Sequence, residues 1–335
     1  MAGRSIVNQG LYLQLETTPG VAATNAMKRY LGIRGNIGWD TQKESFTASG
    51  YKFPTAEVVN TEAGTIDLTV IQEYNSFMPL LAGVFGKPTT TELVAGEVYQ
   101  HVFSIDATAA DDLASYTVVW GDSTQALMAV YSAFHGLNIG IQKTQLSLSA
   151  TGILNAPVSG TIPASGVTTV PMTPLRASTY CGYIDDTWAD LGTTKALNLY
   201  NADIQFGDKY TPDWIIDCDV PGHSGLMEAV GVNHTLSLQM GFDAAGAAEV
   251  ANAKNGKKRF VRLEATGPEI LDNTGTTTGE NYMMTIDLSA VLNPTSTGEA
   301  SVSPATVVNF DGTLMVDDVT ENVAQVTLVN NQASL

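Results

Sequence analysis

The chain contains little cysteine. Its 335 residues include only Cys181 and Cys218. Disulfide frameworks and zinc knuckles both need more thiols at short spacing. Cysteine side chains are often buried in folded proteins, so we expect two free, buried thiols here.

Long hydrophobic runs are also missing. No stretch approaches the roughly 18 apolar residues that a membrane-spanning helix needs. Residues 1–5 lead into no apolar segment, so the sequence predicts no secretory signal peptide. We therefore expect a protein that is made and kept in a soluble, cytoplasm-like state.

Charge is scarce and one-sided. Charged residues make up 15% of the chain, against about 25% in an ordinary soluble domain. Such a low content suits a surface that neighbouring copies cover, because interface cores are depleted in charge. Acids outnumber bases by 34 to 16, which gives a net charge of −18. Nucleic-acid affinity comes from clustered lysine and arginine, so the balance argues against tight nucleic-acid binding.

Metal-binding and phosphate-binding motifs are absent as well. None of the four histidines lies at a metal-ligand spacing to another ligand: His101, His135, His223 and His234. Cys218 and His223 resemble a metal site most, but plain loop residues are the simpler interpretation. The sequence has neither a Walker-type loop nor a Gly-x-Gly-x-x-Gly turn after a strand.

Two serines stand in motifs that resemble hydrolase sites. Residues 222–226 (GHSGL) nearly match a nucleophile elbow, and residues 121–123 (GDS) resemble a shorter serine block. A turn is the favoured interpretation of both. We predict that the protein is not an enzyme, with no catalytic, metal-binding or cofactor-binding residues.

Charged clusters have structural interpretations. The basic cluster fits the C-terminal end of a helix, where cations are favoured, although a phosphate or partner contact is the alternative. Its members are Lys254, Lys257, Lys258, Arg259 and Arg262. The paired carboxylates are predicted to lie in solvated turns: Asp111 with Asp112, Asp185 with Asp186, and Asp317 with Asp318.

Alternation of apolar and polar residues dominates what is present. A period of two with Ser and Thr opposite the apolar set predicts antiparallel strands with one buried face. The clearest alternating segments are 11–15, 66–70, 146–150, 202–206, 236–240, 261–265, 284–288 and 326–328.

Helical signals are few. Residues 76–85 have Ser76 as a predicted N-cap and Gly86 beyond the end. Residues 243–254 have Asp243 as a predicted cap and an alanine-rich middle. A shorter piece, 186–191, is predicted to form one or two turns.

Three polar segments are predicted to be loops or linkers. Residues 155–174 separate two halves, in each of which a strand enters a helix and further strands follow. This order predicts a mainly β fold with two tandem pseudo-repeated domains, 1–174 and 175–335. Residues 268–279 are predicted to be an exposed loop, and 40–64 a long loop of functional or interface type.

Four segments resemble the siphophage (long non-contractile tail) major tail tube proteins. They are residues 10–21 (GLYLQLETTPGV), the strand and helix within 64–86, residues 183–192 (YIDDTWADLG) and residues 259–267 (RFVRLEATG). The resemblance extends over nearly the whole chain and rests on the order of the segments.

The resemblance implies a fold, a function and partners. The fold is a tail-tube-type antiparallel β-sandwich or barrel with flanking helices. The function is that of a structural virion protein, assembled in the host cytoplasm, whose stacked rings conduct genomic DNA during ejection. Each ring would contain three two-domain chains or six chains, with tape-measure and tail terminator or tip proteins as partners. Arms to the next ring are expected from residues 1–20, from 40–64 and from the tail beyond Val319.

Other functions remain open at this stage. A β-sandwich adhesin or carbohydrate-binding module would gather aromatic side chains, for which Trp39, Trp120, Trp188 and Trp214 are available. A hydrolase using Ser224 or Ser123, or another phage structural part such as a decoration protein, are further alternatives.

Overall fold

A computed structural model of the protein describes residues 9–335, apart from 24–25, 106, 111, 123, 163–164, 197, 217–221, 230 and 301–302. The chain is mainly β, with 58% of residues in strands. The strands are β1 (Gly10–Leu15), β2 (Lys28–Tyr30), β3 (Ile33–Phe46), β4 (Ala56–Val70), β5 (Thr89–Val94), β6 (Val98–Ser104), β7 (Tyr116–Gly121), β8 (Ala126–Gln142), β9 (Gln145–Asn155), β10 (Val158–Gly160), β11 (Thr168–Val170), β12 (Tyr180–Asp185), β13 (Leu199–Phe206), β14 (Tyr210–Asp213), β15 (Gly225–Glu228), β16 (Thr235–Gly241), β17 (Lys258–Leu271), β18 (Thr277–Ala300), β19 (Ser303–Leu314) and β20 (Ala324–Asn330). The helices in the described part are α1 (Phe77–Phe85) and α2 (Ala244–Lys254).

Eight strands form what we call the main sheet. Its order is β3-β4-β9-β8-β13-β16-β19-β18, and every neighbouring pair is antiparallel. Only the second part of β8 (133–142) and of β18 (290–300) belongs to this sheet. All eight alternating segments predicted from the sequence lie in strands, so the predicted mainly β class is confirmed.

The first parts of β8 and β18 leave the main sheet and join two outer layers. Residues 126–132 of β8 pair with β7, and the layer is ordered β10-β8-β7-β1-β2-β11. The first part of β18 lies between β17 and β20 in the order β5-β6-β20-β18-β17-β12. Two long strands therefore tie the main sheet to the layers that cover it.

Helix α1 is a core element. All nine of its residues are buried, which differs from the expectation that both helices flank the sheets. Its sequence is apolar on every side, as is typical of a helix enclosed by other elements. Gly83 permits the close approach of β8, because a Cβ there would lie 2.2 Å from the carbonyl oxygen of Phe134.

Buried side chains hold both ends of α1. Ser76 is the N-cap residue as predicted, but its side chain makes no capping bond. The Glu73 carboxylate does this instead, accepting from the Asn75 N–H at 2.8 Å and from the Ser76 N–H. At the other end the Lys209 ammonium donates to the Val84 carbonyl at 2.9 Å, and a cation there is favoured by the helix dipole.

Helix α2 begins as the sequence predicts. Asp243 Oδ1 accepts from the N–H groups of Ala245 and Gly246 at 3.0 and 3.1 Å. The predicted helix at 186–191 is wrong in extent, because only Trp188–Asp190 form a 3₁₀ turn, which Thr187 caps.

Two predicted loops are mostly strand. Residues 40–46 and 56–64 extend β3 and β4 into a long hairpin, which leaves 47–55 as its tip. We call 39–62 the long hairpin. Within 268–279, only the short turn between β17 and β18 is not strand, and Asp272 Oδ1 closes it by accepting from Thr274 N and Thr276 N. Both predictions were wrong because most residues of these strand segments are polar and exposed, so the segments show no regular alternation, although Ile270 and Ala63 are buried.

Two predicted arms also differ from the structure. The tail beyond Val319 contains β20, which is a central strand paired with both β18 and β6. Val326 and Leu328 are fully buried there, so this segment is core rather than arm. At the N-terminus, residues 10–15 form β1 against β7, and residues 1–8 lie outside the described residues.

The pairing of the strands crosses residue 174. Strand β8 pairs with β13, and β6 pairs with β20. The two halves of the chain therefore share continuous hydrogen-bonded sheets.

The contact between α1 and β8 gives a test of this packing. We expect Gly83→Ala to lower the free energy of unfolding by about 2–3 kcal/mol, because overpacking against backbone outweighs alanine's helix propensity of about 1 kcal/mol. The measurement is urea unfolding at low protein concentration. Gly298→Ala is the control, since nothing lies within 4 Å of a Cβ there and it should be near neutral. An unchanged midpoint for Gly83→Ala would contradict the close approach.

Candidate functional surfaces

The histidines have separate structural surroundings. His101 is buried, with Nδ1 at 2.8 Å from Thr90 Oγ1 and Nε2 at 2.9 Å from the Gln332 carbonyl. His135 Nδ1 lies 2.7 Å from Asp208 Oδ1. The ring of His223 packs edge-on against Tyr131 and Trp214. Among the described residues, no three His, Cys, Asp or Glu side chains gather as a metal site would require. Cys218 lies outside those residues, and Cys181 is a partly buried free thiol.

His234 holds the segment that follows β13. Its Nδ1 accepts from the Gly207 N–H at 3.1 Å. Burial, together with the nearby charge of Lys209, lowers the pKa of His234 to about 4. The imidazole is therefore neutral at physiological pH and acts as a hydrogen-bond acceptor.

The candidate serines lie in turns or outside the described chain. Ser224 Oγ donates to the Asp213 carbonyl at 2.9 Å, at the start of β15, and no helix follows it. A nucleophile elbow needs a strand-to-helix turn, so Ser224 lacks that geometry. Ser123 lies outside the described residues, and its neighbour Asp122 accepts from Thr124 N and Gln125 N as turn residues do.

Carboxylates of this chain neutralise most of the basic cluster. Arg259 makes a bidentate pair with Glu249 at 2.8 Å and also contacts Asp186. The other pairs are Lys257 with Asp186, Lys258 with Asp318, and Arg262 with Asp287. These pairs fasten α2 and β17 to their neighbours, which favours the structural interpretation over a phosphate site.

The carboxylate pairs have structural partners too. Asp185 is buried, which by itself raises its pKa, but bonds from Thr194, Thr193 and Gly192 outweigh burial and hold the pKa below its usual value. Asp317 accepts from Thr320 N and Oγ1, and Asp112 pairs with Lys87 at 3.0 Å. Asp111 lies outside the described residues.

The tryptophans occupy different surroundings. Trp188 packs edge-on against Phe260 and Trp120 is partly buried against the core. Trp39 and Trp214 are exposed by 61% and 43%, on the long hairpin and after β14 respectively.

One face of the main sheet is almost wholly polar and uncharged. The opposite face carries core residues such as Ile66, Leu148, Ile204 and Phe310. We call the first the polar face. Its charged members are Asp40, Asp67, Asp203, Asp311 and Arg34; the remaining members include Asn36, Thr65, Thr69, Asn138, Gln142, Ser147, Ser149, Thr151, Asn201, Gln205, Thr235, Ser237, Gln239, Asn309 and Thr313.

The polar residues form rows across the strands. One row contains Thr313, Thr235, Gln205, Asn138, Ser149, Thr69 and Arg34, which are successive register partners on seven strands. Cross-strand partners within a row bond to each other, as Ser237 Oγ does with Asp311 Oδ1 and Gln239 Nε2 with Asn309 Oδ1, at 2.8 and 2.9 Å. The side chains therefore satisfy one another and present little net charge. The sequence did not reveal this face, because it requires the register of all eight strands.

Both edges of the main sheet are open within the described chain. Strand β3 pairs with β4 alone along the sheet, and residues 292–300 of β18 pair with β19 alone. An open edge presents unpaired N–H and C=O groups that can template pairing with another chain.

The edge hairpins point to opposite ends of the main sheet. Strand β3 runs toward the tip of the long hairpin, and successive antiparallel pairings make β18 run the other way. We call the end with tip 47–55 the upper end. The last described pair between β18 and β19, Ala300 with Ser303, therefore lies at the lower end.

The long hairpin exposes large apolar side chains. They are Trp39, Phe46, Tyr51, Phe53, Val58 and Val59, with exposed fractions between 44% and 77%. Soluble monomers rarely expose apolar side chains in such density, so this hairpin is a candidate contact surface.

No family model and no curated protein matches the chain. No helix in the described part of the chain is long and apolar enough to cross a membrane.

The buried imidazole of His234 predicts a pH dependence. The unfolded chain, with a histidine pKa near 6.5, takes up the proton before the folded one does. Stability from this group is therefore complete above pH 6.5 and is lost as pH falls toward 4. We expect wild type to lose about 2–3 kcal/mol more than His234→Gln over this interval. Urea unfolding at a series of pH values measures the free energy of unfolding of both proteins. If this free energy falls equally with pH in wild type and in His234→Gln, the prediction is wrong.

Proposed function

We propose that this protein is a structural virion subunit of tail-tube type. Three copies close into a ring, and rings stack into a tube that conducts genomic DNA into the host. The observation that carries the proposal is the main sheet, which combines two open edges with one polar face. The long hairpin and the β18–β19 hairpin, pointing to opposite ends, support stacking of the rings.

Matching strand orders support two tandem domains. In the main sheet, β3-β4-β9-β8 from the first half is followed by β13-β16-β19-β18 from the second. In both sets the second strand leads into a helix, β4 into α1 and β16 into α2. Outside the main sheet, β10-β8-β7-β1 corresponds to β20-β18-β17-β12. We infer that residues 1–174 and 175–335 are pseudo-repeats.

The strand pairing that joins the two halves of one chain can be repeated between two chains. Strand β8 ends the first set and pairs antiparallel with β13, which begins the second. Strand β18 ends the second set, and β3 of another copy begins the next with the same relative direction. A head-to-tail contact of this kind generates a ring when the rotation closes. Three chains would then contribute six similar junctions.

Strand number favours three chains over six. Three copies give 24 strands, which at ~4.8 Å spacing and ~40° tilt enclose a barrel roughly 40–50 Å wide between backbones. Barrels of 16–18 strands already leave an aqueous channel, so this one would be open. Six copies would give 48 strands and a barrel about twice as wide. Three copies are therefore enough to enclose an open channel.

The polar face is suited to the wall of this channel. Each phosphate that a protein neutralises releases counterions and adds affinity, which would hold DNA in place. Four aspartates and one arginine among many amides and hydroxyls give little such affinity. The tape-measure and terminator or tip partners, the virion location and assembly in the host cytoplasm follow from the family resemblance and complete the proposal.

Trp39 gives a test of ring closure at the open edge. The Ile71 N–H donates to the Gly32 carbonyl, and the register is unbroken from residue 33 to 42. In an antiparallel pair, successive residues direct their backbone N–H and C=O groups alternately toward the partner strand and away from it. Counting along β3 from Gly32, the Trp39 N–H therefore points away from β4, toward the open edge. We expect wild type to form three-fold rings of three 35.4 kDa chains, and tubes at higher concentration. Trp39→Pro removes one outward donor and should lower ring formation at least tenfold.

The control for this test is Trp39→Ala, which removes the same side chain but keeps the N–H. Electron microscopy and sedimentation velocity provide the measurements. Wild type that stays monomeric at high concentration would refute the proposal. Equal assembly of the proline and alanine variants would refute edge pairing at β3.

Lysines on the polar face test its role toward DNA. We expect the triple variant Ser149→Lys, Gln205→Lys, Thr313→Lys to retain short duplexes inside assembled tubes at low salt. Its affinity should fall with salt at a slope of about −0.9 per neutralised phosphate. Co-sedimentation measures the affinity, and cryo-electron microscopy locates the DNA. Tubes of wild type and of the control variant Ser149→Gln, Thr313→Gln should retain no duplex DNA. If DNA is found only on the outside of the lysine tubes, the polar face does not line the channel.

A further inference from the structure

A groove lies at the lower end of the main sheet, opposite the tip of the long hairpin. It has a volume of about 540 Å³ and opens between the β8–β9 turn, the start of β13 and the edge strand β12. We call it the lower groove. Its walls include Ile141, Tyr180, Cys181 and Leu199, and Lys143 and Lys195 are exposed at its mouth. This volume falls within the roughly 300–1,000 Å³ of pockets that accept small ligands, which leaves room for one or two aromatic side chains.

The charge of the lower groove is unusual for this chain. Its lining contains two lysines and no aspartate or glutamate, although the whole chain carries −18. Neither lysine forms an ion pair with a described carboxylate; Lys143 Nζ lies 3.5 Å from the Ser178 carbonyl. The groove is therefore a positive, partly apolar depression on an acidic protein.

The long hairpin has the complementary composition. Its tip carries Tyr51 and Phe53, exposed by 67% and 77%. Its shaft carries four acids, Asp40, Glu44, Glu57 and Glu62, against one lysine, Lys43, while Lys52 lies at the tip between the two aromatic residues. Lys43 is already paired with Glu57 at 2.9 Å, so acidic groups remain in excess along the shaft.

The exposed area suits a specific contact. The apolar side chains from Phe46 to Val59 expose roughly 600 Å² in all, which equals the largest patch of a typical monomer. Tyr51 and Phe53, the two most exposed of these side chains, lie at the tip.

We propose that the tip of the long hairpin of one copy docks in the lower groove of the next copy along the stack. Tyr51 and Phe53 enter the groove, and Lys143 and Lys195 at its mouth face the acids of the shaft. The inference deepens the proposed function and rests on it, because it specifies which surface receives the hairpin.

The hairpin is long enough for this contact. Seven residues separate Ala56 from Ala63, where β4 last pairs with β9. At about 3.3 Å per residue the shaft rises roughly 23 Å above the main sheet, before the tip is counted. Tip and groove also lie at opposite ends of the same sheet, so each contact repeats with the same translation. That is the head-to-tail geometry of an open stack.

Cys181 allows a direct test, because this thiol lines the lower groove. The variant combines Ser49→Cys at the tip with Cys218→Ser, so that the new thiol has Cys181 as its partner. We expect oxidation of assembled tubes to join copies into covalent dimers and longer chains on denaturing gels. The additional change Cys181→Ser should abolish the ladder. A control variant with Thr297→Cys in place of Ser49→Cys should give no cross-linked ladder, because residue 297 lies toward the same end of the sheet as the lower groove.

A second measurement separates docking from ring formation. Tyr51→Ala with Phe53→Ala should leave three-fold rings intact and raise the critical concentration for tubes about tenfold or more. Leu93→Ala on β5 removes a comparable exposed side chain and should change nothing. Tubes without the Cys181 cross-link, or tubes unaffected by the loss of both aromatics, would overturn the docking site and leave the proposed function standing. Absence of any rings would overturn both.

Discussion

Hydrogen bonding at the open edges of the main sheet is the constraint on which the rest of the molecule depends. A strand edge with free N–H and C=O groups is a template for uncontrolled pairing, and proteins usually cover or disrupt it. Here β3 ends the sheet on one side, with an unbroken register over residues 33–42. The outer part of β18 ends it on the other side, with register shifts after Pro294 and after Glu299. Their directions are those required for antiparallel pairing between copies. A closed ring pairs both edges and leaves none exposed, as barrels do.

The two strands that bend between sheets make such a wall rigid. Strand β8 changes layer where Tyr131 and Gly136 have positive φ values of 49° and 61°. Tyrosine rarely adopts that conformation, so the site needs local support. Glu16 supplies it, since its buried carboxylate accepts from Tyr131 N at 2.9 Å and from Thr117 Oγ1 at 3.0 Å. The end of β1 therefore fixes the bend of β8, which joins the main sheet to its outer layer.

Local sequence signals predicted the elements that have one buried face. The alternation in β9, β13 and β16 and the aspartate cap of α2 follow from a single segment of chain. The long hairpin was missed because residues 40–62 face solvent on nearly all sides, and alternation arises only when one face is buried. The apolar helix α1 carried a usable signal, since a helix apolar all round is expected inside a protein.

The polar face and the lower groove depend on register and could not be obtained from single segments. Ser149, Gln205 and Thr313 each look like ordinary solvent-facing positions until β9, β13 and β19 are placed in one sheet. The charge distribution likewise depends on the three-dimensional arrangement and could not be obtained from single segments. Net charge alone argues against tight nucleic-acid binding, but several acids are paired with Arg259, Arg262 and Lys258 and hold α2 and β17 in place. The polar face itself is mostly amide and hydroxyl, so under the proposed function its weak affinity for phosphate would come from the scarcity of cations more than from excess acid.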